Sequence, residues 1–235
     1  MLTLGLDASG AVMGLALVEI GEEGRSWTPL AAWRMATHKQ TAERMAPTLE
    51  ALFRQARCER QDLGLVTVTV GPGSYTGLRV AVSTAKALGL AMDVPLVGLS
   101  TLHVLAEPLR FAPRTILPML DSRMGEVCHA RFRGGETVER LTEDRRSTPE
   151  EAVKGLESDA VLLGDGVLAY WERIQEMVPQ AELAPEPYHY VNPEVVALLG
   201  YAKWREEGAV SPQMLQPVYL RDPQIGKKWR ILEDK

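Results

Sequence analysis

An apolar, β-branched run, Leu65-Val66-Thr67-Val68-Thr69-Val70, leads directly into Gly71-Pro72-Gly73-Ser74-Tyr75-Thr76-Gly77-Leu78-Arg79, and the following Val80 to Met92 has helical composition. The order strand, glycine-rich turn, helix constrains the fold more than any other stretch. A run of Val and Thr with an almost unbroken apolar face belongs deep in a sheet. The glycines let the backbone turn sharply and approach another group closely. The first N–H groups of the helix have no partner within it, and the dipole is positive there, so the turn suits a phosphate or another anion. It equally suits a tight turn that docks a helix on a sheet. The turn is not a P-loop, because no Gly-Lys-Ser or Gly-Lys-Thr is present and Lys86 lies too far down the helix. The glycine spacing also differs from the dinucleotide fingerprint.

The 235 residues suffice for one large domain or two small lobes. With 26 Lys and Arg against 31 Asp and Glu, the formal net charge is −5. Such a balance gives no basic surface for tight nucleic-acid binding by this chain alone. The two cysteines, Cys58 and Cys128, form no Cys-x-x-Cys pattern, so free thiols in a reducing compartment are expected. The start lacks the regions of a signal peptide, and no apolar stretch approaches a membrane span. These features predict a cytoplasmic protein with no membrane association.

Met1 to Asp7 and Val12 to Glu19 read as a hairpin with Asp7 and Ser9 at its tip, and Trp27 to Ala36 as a third strand. From Thr41 to Cys58, Met45, Leu49, Leu52, Phe53 and Ala56 fall at helical spacing; Pro47 predicts a start near Ala46 or a bend there. Pro95 to Leu99 reads as a strand and Thr101 to Glu107 as a helix. A second block opens near 109 with a hairpin, Thr115 to Leu120 and Glu126 to Phe132, joined through Asp121-Ser122-Arg123-Met124-Gly125. Arg133 to Glu139 is expected to add a turn and edge, Thr148 to cap a helix opening at Pro149, and Leu168 to Met177 to form another. Asn192-Pro193 starts a last helix to Glu207, with Val195, Val196, Leu198, Leu199 and Ala202 inward and Gly208 as its end. Two successive blocks, each opening with a hairpin, predict two α/β lobes. One lobe takes residues 1–108 and 191–222, the smaller one takes 109–190, and 223–235 is expected to be a mobile tail.

Several residues are candidates for chemistry. Asp7 stands at the carboxyl end of the first strand, where open α/β sheets bind ligands. A nucleotide-phosphate site would draw on Asp7, Ser9, Gly71, Gly73, Thr76 and Gly77; the competing reading is a closed hairpin beside a tight turn. Ser74 does not lie in Gly-x-Ser-x-Gly and is not read as a nucleophile. No two of His38, His103, His129 and His189 are three or four residues apart, so no helix offers a histidine pair to a metal. Asp121, Arg123 and Glu126 are expected to ion-pair across their turn. The helix after the glycine turn spreads Leu78, Val82, Ala85 and Gly89 over more than one face, and a helix on a sheet needs only one apolar stripe. With Met45, Leu49, Leu52 and Phe53 of the preceding helix, it is expected to form a protein interface.

Leu4-Gly5-Leu6-Asp7-Ala8-Ser9, the Gly71 to Arg79 turn, Ala85 to Leu88, Pro95 to Leu102, Asp121 to Val127 and Pro217 to Arg221 together resemble the TsaB (YeaZ) family of bacterial tRNA threonylcarbamoyladenosine biosynthesis proteins. The resemblance spans nearly the whole chain. It implies a two-lobed α/β fold of the actin/hexokinase/Hsp70 (ASKHA) type. It also implies an assembly with the catalytic paralogue TsaD and the ATPase TsaE, which moves threonylcarbamoyl from an adenylate onto N6 of adenosine 37 in tRNA. The family's members are regarded as non-catalytic partners, gripped through the first two helices of the N-terminal lobe. A symmetric homodimer through the same patch follows for the isolated chain, with tRNA reached only through the complex. No cofactor is expected in the isolated chain, whereas ATP or ADP fits the boundary with TsaD. The paralogue's metal-binding His-x-x-x-His matches Thr101 and Leu105 here; Leu105 cannot ligate a metal, so neither a metal nor a catalytic residue is expected. The alternatives are an ATP-binding phosphotransferase or acyltransferase of the same superfamily, and, more remotely, a metallopeptidase.

Overall fold

A computed structural model of the chain describes residues 1–37, 40–156 and 158–220. His38 and the expectations for residues 221–235 lie outside these described residues.

The first sheet contains β1 (Leu2–Asp7), β2 (Val12–Ile20), β3 (Trp27–Ala36), β4 (Leu63–Gly71) and β5 (Leu96–Ser100), in the order β3-β2-β1-β4-β5. β1 pairs antiparallel with β2 and parallel with β4, and β4 pairs parallel with β5. Leu2, Leu4, Leu6, Leu15, Leu17, Val66 and Val68 point to one face, where α1 (Thr41–Ala56) and α2 (Tyr75–Met92) cover them. The alternate residues Ala16, Val18 and Leu65 point to the other face, toward α3 (Thr101–Ala106) and α6 (Pro193–Glu207). This two-sided burial is why β4 is apolar throughout. α1 begins at Thr41 and carries Pro47 inside it; the proline is exposed, where the carbonyl it strands can reach water.

The second sheet repeats the arrangement. β6 (Thr115–Arg123), β7 (Glu126–His129), β10 (Arg145–Ser147), β11 (Val161–Leu163) and β12 (Glu182–Leu183) lie in the order β10-β7-β6-β11-β12. β6 pairs antiparallel with β7 and parallel with β11, and β11 parallel with β12, the senses of the first sheet. Two short strands lie off this path: β8 (Phe132–Arg133) pairs with β6, and β9 (Glu139–Arg140) pairs with β8. α4 (Pro149–Val153) and α5 (Asp165–Met177) cover the outer face through Ala152, Val153, Val167 and Ile174. The inner face joins the core that holds α3 and α6. The result is a two-lobed ASKHA-like α/β fold.

α6 lies between the sheets, so it is apolar on several sides. Against expectation, Ala202 is exposed, while Ala197, Gly200 and Tyr201 are buried. The reason is close approach: a Cβ on Gly5 would fall 2.2 Å from Pro193 O, and one on Gly200 would fall 2.1 Å from Thr67 Cγ2. Gly5 lets β1 reach the Pro193 backbone, and Gly200 lets α6 reach the Thr67 side chain. α5 starts at Asp165 rather than Leu168. Among the described residues, no helix is long and apolar enough to cross a membrane.

Candidate functional site

The hairpin tip and the glycine turn meet at the carboxyl ends of β1 and β4. Asp7 Oδ1 accepts from Ser9 N at 3.2 Å, Ser9 Oγ at 2.7 Å and Thr69 Oγ1 at 2.6 Å. Asp7 and Ser9 are only 2% and 4% exposed. Burial pushes the Asp7 carboxyl above its ordinary value, and the hydrogen bonds from Thr69 and Ser9 pull the other way. Ser74 N donates to Ser9 O at 2.6 Å, which ties the turn to the tip. Ser74 Oγ caps α2 by accepting from Gly77 N at 3.3 Å. The contacts explain the glycines. A Cβ on Gly77 would stand 1.8 Å from Ala8 O, one on Gly73 2.4 Å from Ser9 O, and one on Gly71 2.3 Å from Val218 O.

The structure therefore brings Asp7, Ser9, Gly71, Gly73 and Gly77 together, but as a closed joint. The hydrogen bonds at the tip all fall on Asp7 Oδ1, so Ser9 and Thr69 hold one oxygen of a buried carboxylate. Gly71 and Gly77 are buried as well; Thr76 and Gly73 remain exposed on the rim. Thr69 is the residue that sequence reasoning missed. Its signal was a threonine at an inward position of an otherwise apolar strand, in register with the acidic tip.

The two positions that the resemblance sets against metal ligands lie in the core. Thr101 is 0% and Leu105 2% exposed, and Leu105 packs in the core shared by both sheets. His103, between them, stacks on the Phe132 ring at 5.6 Å between centroids. Burial lowers its basicity, and Arg140 and Lys203 lower it further. Among the described residues, no group of three or more His, Cys, Asp or Glu could hold a metal ion.

The helix pair needs a correction at the level of side chains. Of the eight residues predicted to face a partner, Leu52, Leu78 and Ala85 are 0% exposed, Met45 2%, Val82 3% and Phe53 5%; Gly89 is buried and Leu49 half-buried. Met45, Leu49, Leu52, Phe53, Val82 and Ala85 pack in the core on the chain's own first sheet, and Gly89 lies against Leu96 of β5. The nearest apolar surface claims an amphipathic stripe first, and here that surface is β1, β2 and β4. The outward side of the pair holds a shallow groove of about 350 Å³ lined by Ala42, Met45, Ala46, Arg79, Val80, Ser83 and Thr84.

The model for the family described as TsaD, tRNA N6-adenosine threonylcarbamoyltransferase, matches residues 35–229. The chain belongs to this family. Within it the chain resembles the TsaB (YeaZ) members. It is 28% identical to the tRNA threonylcarbamoyladenosine biosynthesis protein TsaB of Bacillus subtilis over 97% of this chain and 98% of that one. To the Escherichia coli TsaB it is 25% identical over 81% and 84%. The solved structure of YeaZ from Pseudomonas aeruginosa shares the fold, with a TM-score of 0.77 and 22% identity over 93% of this chain and 99% of that one. Against this family background, Thr101 and Leu105 are the residues of greatest weight, since a buried leucine occupies a position that the resemblance pairs with a metal ligand.

Proposed function

We propose that the chain takes part in tRNA N6-threonylcarbamoyladenosine synthesis as a non-catalytic, cytoplasmic subunit that scaffolds and activates TsaD together with TsaE. One observation carries the reading: Leu105 and Thr101 sit in apolar core where a transferase of this family would need metal ligands. What the chain does offer is a helix pair with a groove on its outward side. In this reading TsaD docks there, a second copy docks there when the chain is alone, and tRNA is met only through the complex. ATP or ADP belongs at the boundary with TsaD, since Asp7 and Ser9 are committed to each other and to Thr69.

The test is a transfer assay with this chain, TsaD and TsaE, each left out in turn. Modification should require this chain, and the chain alone should transfer nothing. Turnover by the isolated chain, or tight ATP–magnesium binding in calorimetry, would favour the phosphotransferase or acyltransferase reading. At the interface, Ala46→Arg and Ser83→Arg, both at exposed groove positions, should weaken capture of TsaD by about tenfold or more while leaving the urea midpoint near wild type. Leu78→Asp should unfold the chain instead, because Leu78 is fully buried.

A further inference from the structure

Arg79 belongs to two neighbourhoods at once. It lines the groove between α1 and α2 with Ala42, Ala46, Val80 and Ser83. It also lies one helical turn after Tyr75. Its Nη1 donates to Tyr75 Oη at 2.6 Å, and its guanidinium carbon stands 5.3 Å from the Tyr75 ring centre. The Tyr75 ring lies 4.9 Å from that of Tyr219, tilted by 32°. Tyr219 follows Val218, whose N–H donates to Val70 O at 2.7 Å beside the glycine turn. The Tyr219 phenol is pushed up chiefly by burial and by Tyr75, and Arg79 pulls it down. A line of contacts therefore runs from the groove to the segment that closes over Gly71.

Among the described residues no carboxylate pairs with Arg79; a neutral phenol and a half-exposed ring hold it. A charge-assisted bond to a carboxylate is stronger than either. We infer that Arg79 is a relay: a docked partner that sets a carboxylate over the groove draws the guanidinium off Tyr75 and loosens the 217–219 segment. The inference rests on the docking proposed above. Arg79 is a positioning residue in this role, acting through Tyr75 on Tyr219.

Hydrogen exchange of peptides spanning 216–220 tests it in the full chain, free and saturated with TsaD. In the free protein, Arg79→Ala should speed exchange at Val218 and Tyr219 roughly threefold or more, a local opening rather than global unfolding. Tyr75→Phe, which keeps the ring and loses the oxygen, should move exchange in the same direction. Docking of TsaD should speed exchange in the wild type and add nothing in Arg79→Ala. Equal exchange in free wild type and Arg79→Ala overturns the relay, as does docking that slows both alike. Docking with no change at Val218 and Tyr219 overturns the relay and leaves the groove reading standing. Absence of docking overturns both.

Discussion

At the end of β1, Asp7 accepts from Ser9 N two residues on, and the turn after β4 folds over it. At the end of β6, Asp121 accepts from Arg123 N two residues on at 2.8 Å, and the turn after β11 answers it, with Asp165 Oδ1 accepting from Asp121 N at 3.0 Å. The two lobes thus build one device twice, from the same strand order. They close it differently. The first tip is sealed by glycines and is almost fully buried. The second stays open: Arg123 and Met124 are 81% (side chain) and 76% exposed, and Arg123 reaches Asp121 at 3.1 Å across the tip. His189 supports it from below, accepting from Gly164 N at 3.0 Å while its Nε2–H donates to Ala184 O. Equivalent topology therefore does not fix exposure.

The largest test of this contrast is a methyl group. Gly77→Ala places a Cβ 1.8 Å from Ala8 O, so the seal must break. We expect a loss of about 3 kcal/mol or more in urea unfolding. Gly125→Ala, at the open tip, meets nothing within 4 Å and suffers only from its φ of +82°, so about 1 kcal/mol is expected. Equal losses at the two sites would erase the distinction.

That distinction was only half legible in the sequence. Strands β1 and β4 announced themselves, because Leu2 to Asp7 and Leu65 to Thr69 are buried on both faces and are composed of apolar residues and threonine almost throughout. Trp27–Ala36 and Pro193–Glu207 were readable at both ends from alternation, the Asn192 cap and Gly208. β8 and β9, two residues each, carry no period long enough to detect. The start of α5 was hidden because Gly166 reads as a helix breaker, whereas the structure needs a glycine there, its Cβ position lying 2.8 Å from Leu120 C. At the site, the glycine spacing was visible, but not what closes on it. Helical spacing showed that Leu52 and Leu78 share a face with their apolar neighbours; it could not show that the chain's own sheet covers that face. Likewise Glu126 pairs with Arg146 across β7 and β10, a partner twenty residues away in sequence that no turn-level reading reaches.

Proton linkage gives a second, intermediate test, because the two lobes respond to pH with opposite signs. Asp7 has a raised folded value, so its contribution is complete below the unfolded value of 3.8 and is lost as pH rises through the folded one. Asp7→Asn should therefore gain on the wild type as pH rises above 3.8. In the second lobe, burial with Arg131 and Arg145 lowers His129 from 6.5 to about 4. Its neutral form contributes above pH 6.5, and that contribution is lost as pH falls toward about 4. His129→Leu should remove about 2 kcal/mol of acid sensitivity over that window, allowing for partial solvation. Urea midpoints at four pH values resolve the two trends. Parallel behaviour of the two variants would show that one shared core, rather than separate tips, sets the response.

The smallest effect is expected at Arg123. Its φ of +66° is costly for a side chain, and the ion pair with Asp121 is mostly exposed. Arg123→Gly removes the pair, worth about 0.5 kcal/mol, and relieves about 1 kcal/mol of left-handed strain, against a similar gain in unfolded-chain entropy. The backbone N–H that Asp121 accepts survives. The sum predicts a urea midpoint within about 0.5 kcal/mol of wild type. The corresponding residue of the sealed tip, Ser9, should behave otherwise: Ser9→Gly keeps its N–H but deprives buried Asp7 of the 2.7 Å hydroxyl donor, for a loss of about 1–2 kcal/mol. The second tip tolerates loss of the Arg123 side chain because the Asp121 and Asp165 carboxylates hold its backbone N–H groups, whereas the first depends on the Ser9 hydroxyl itself.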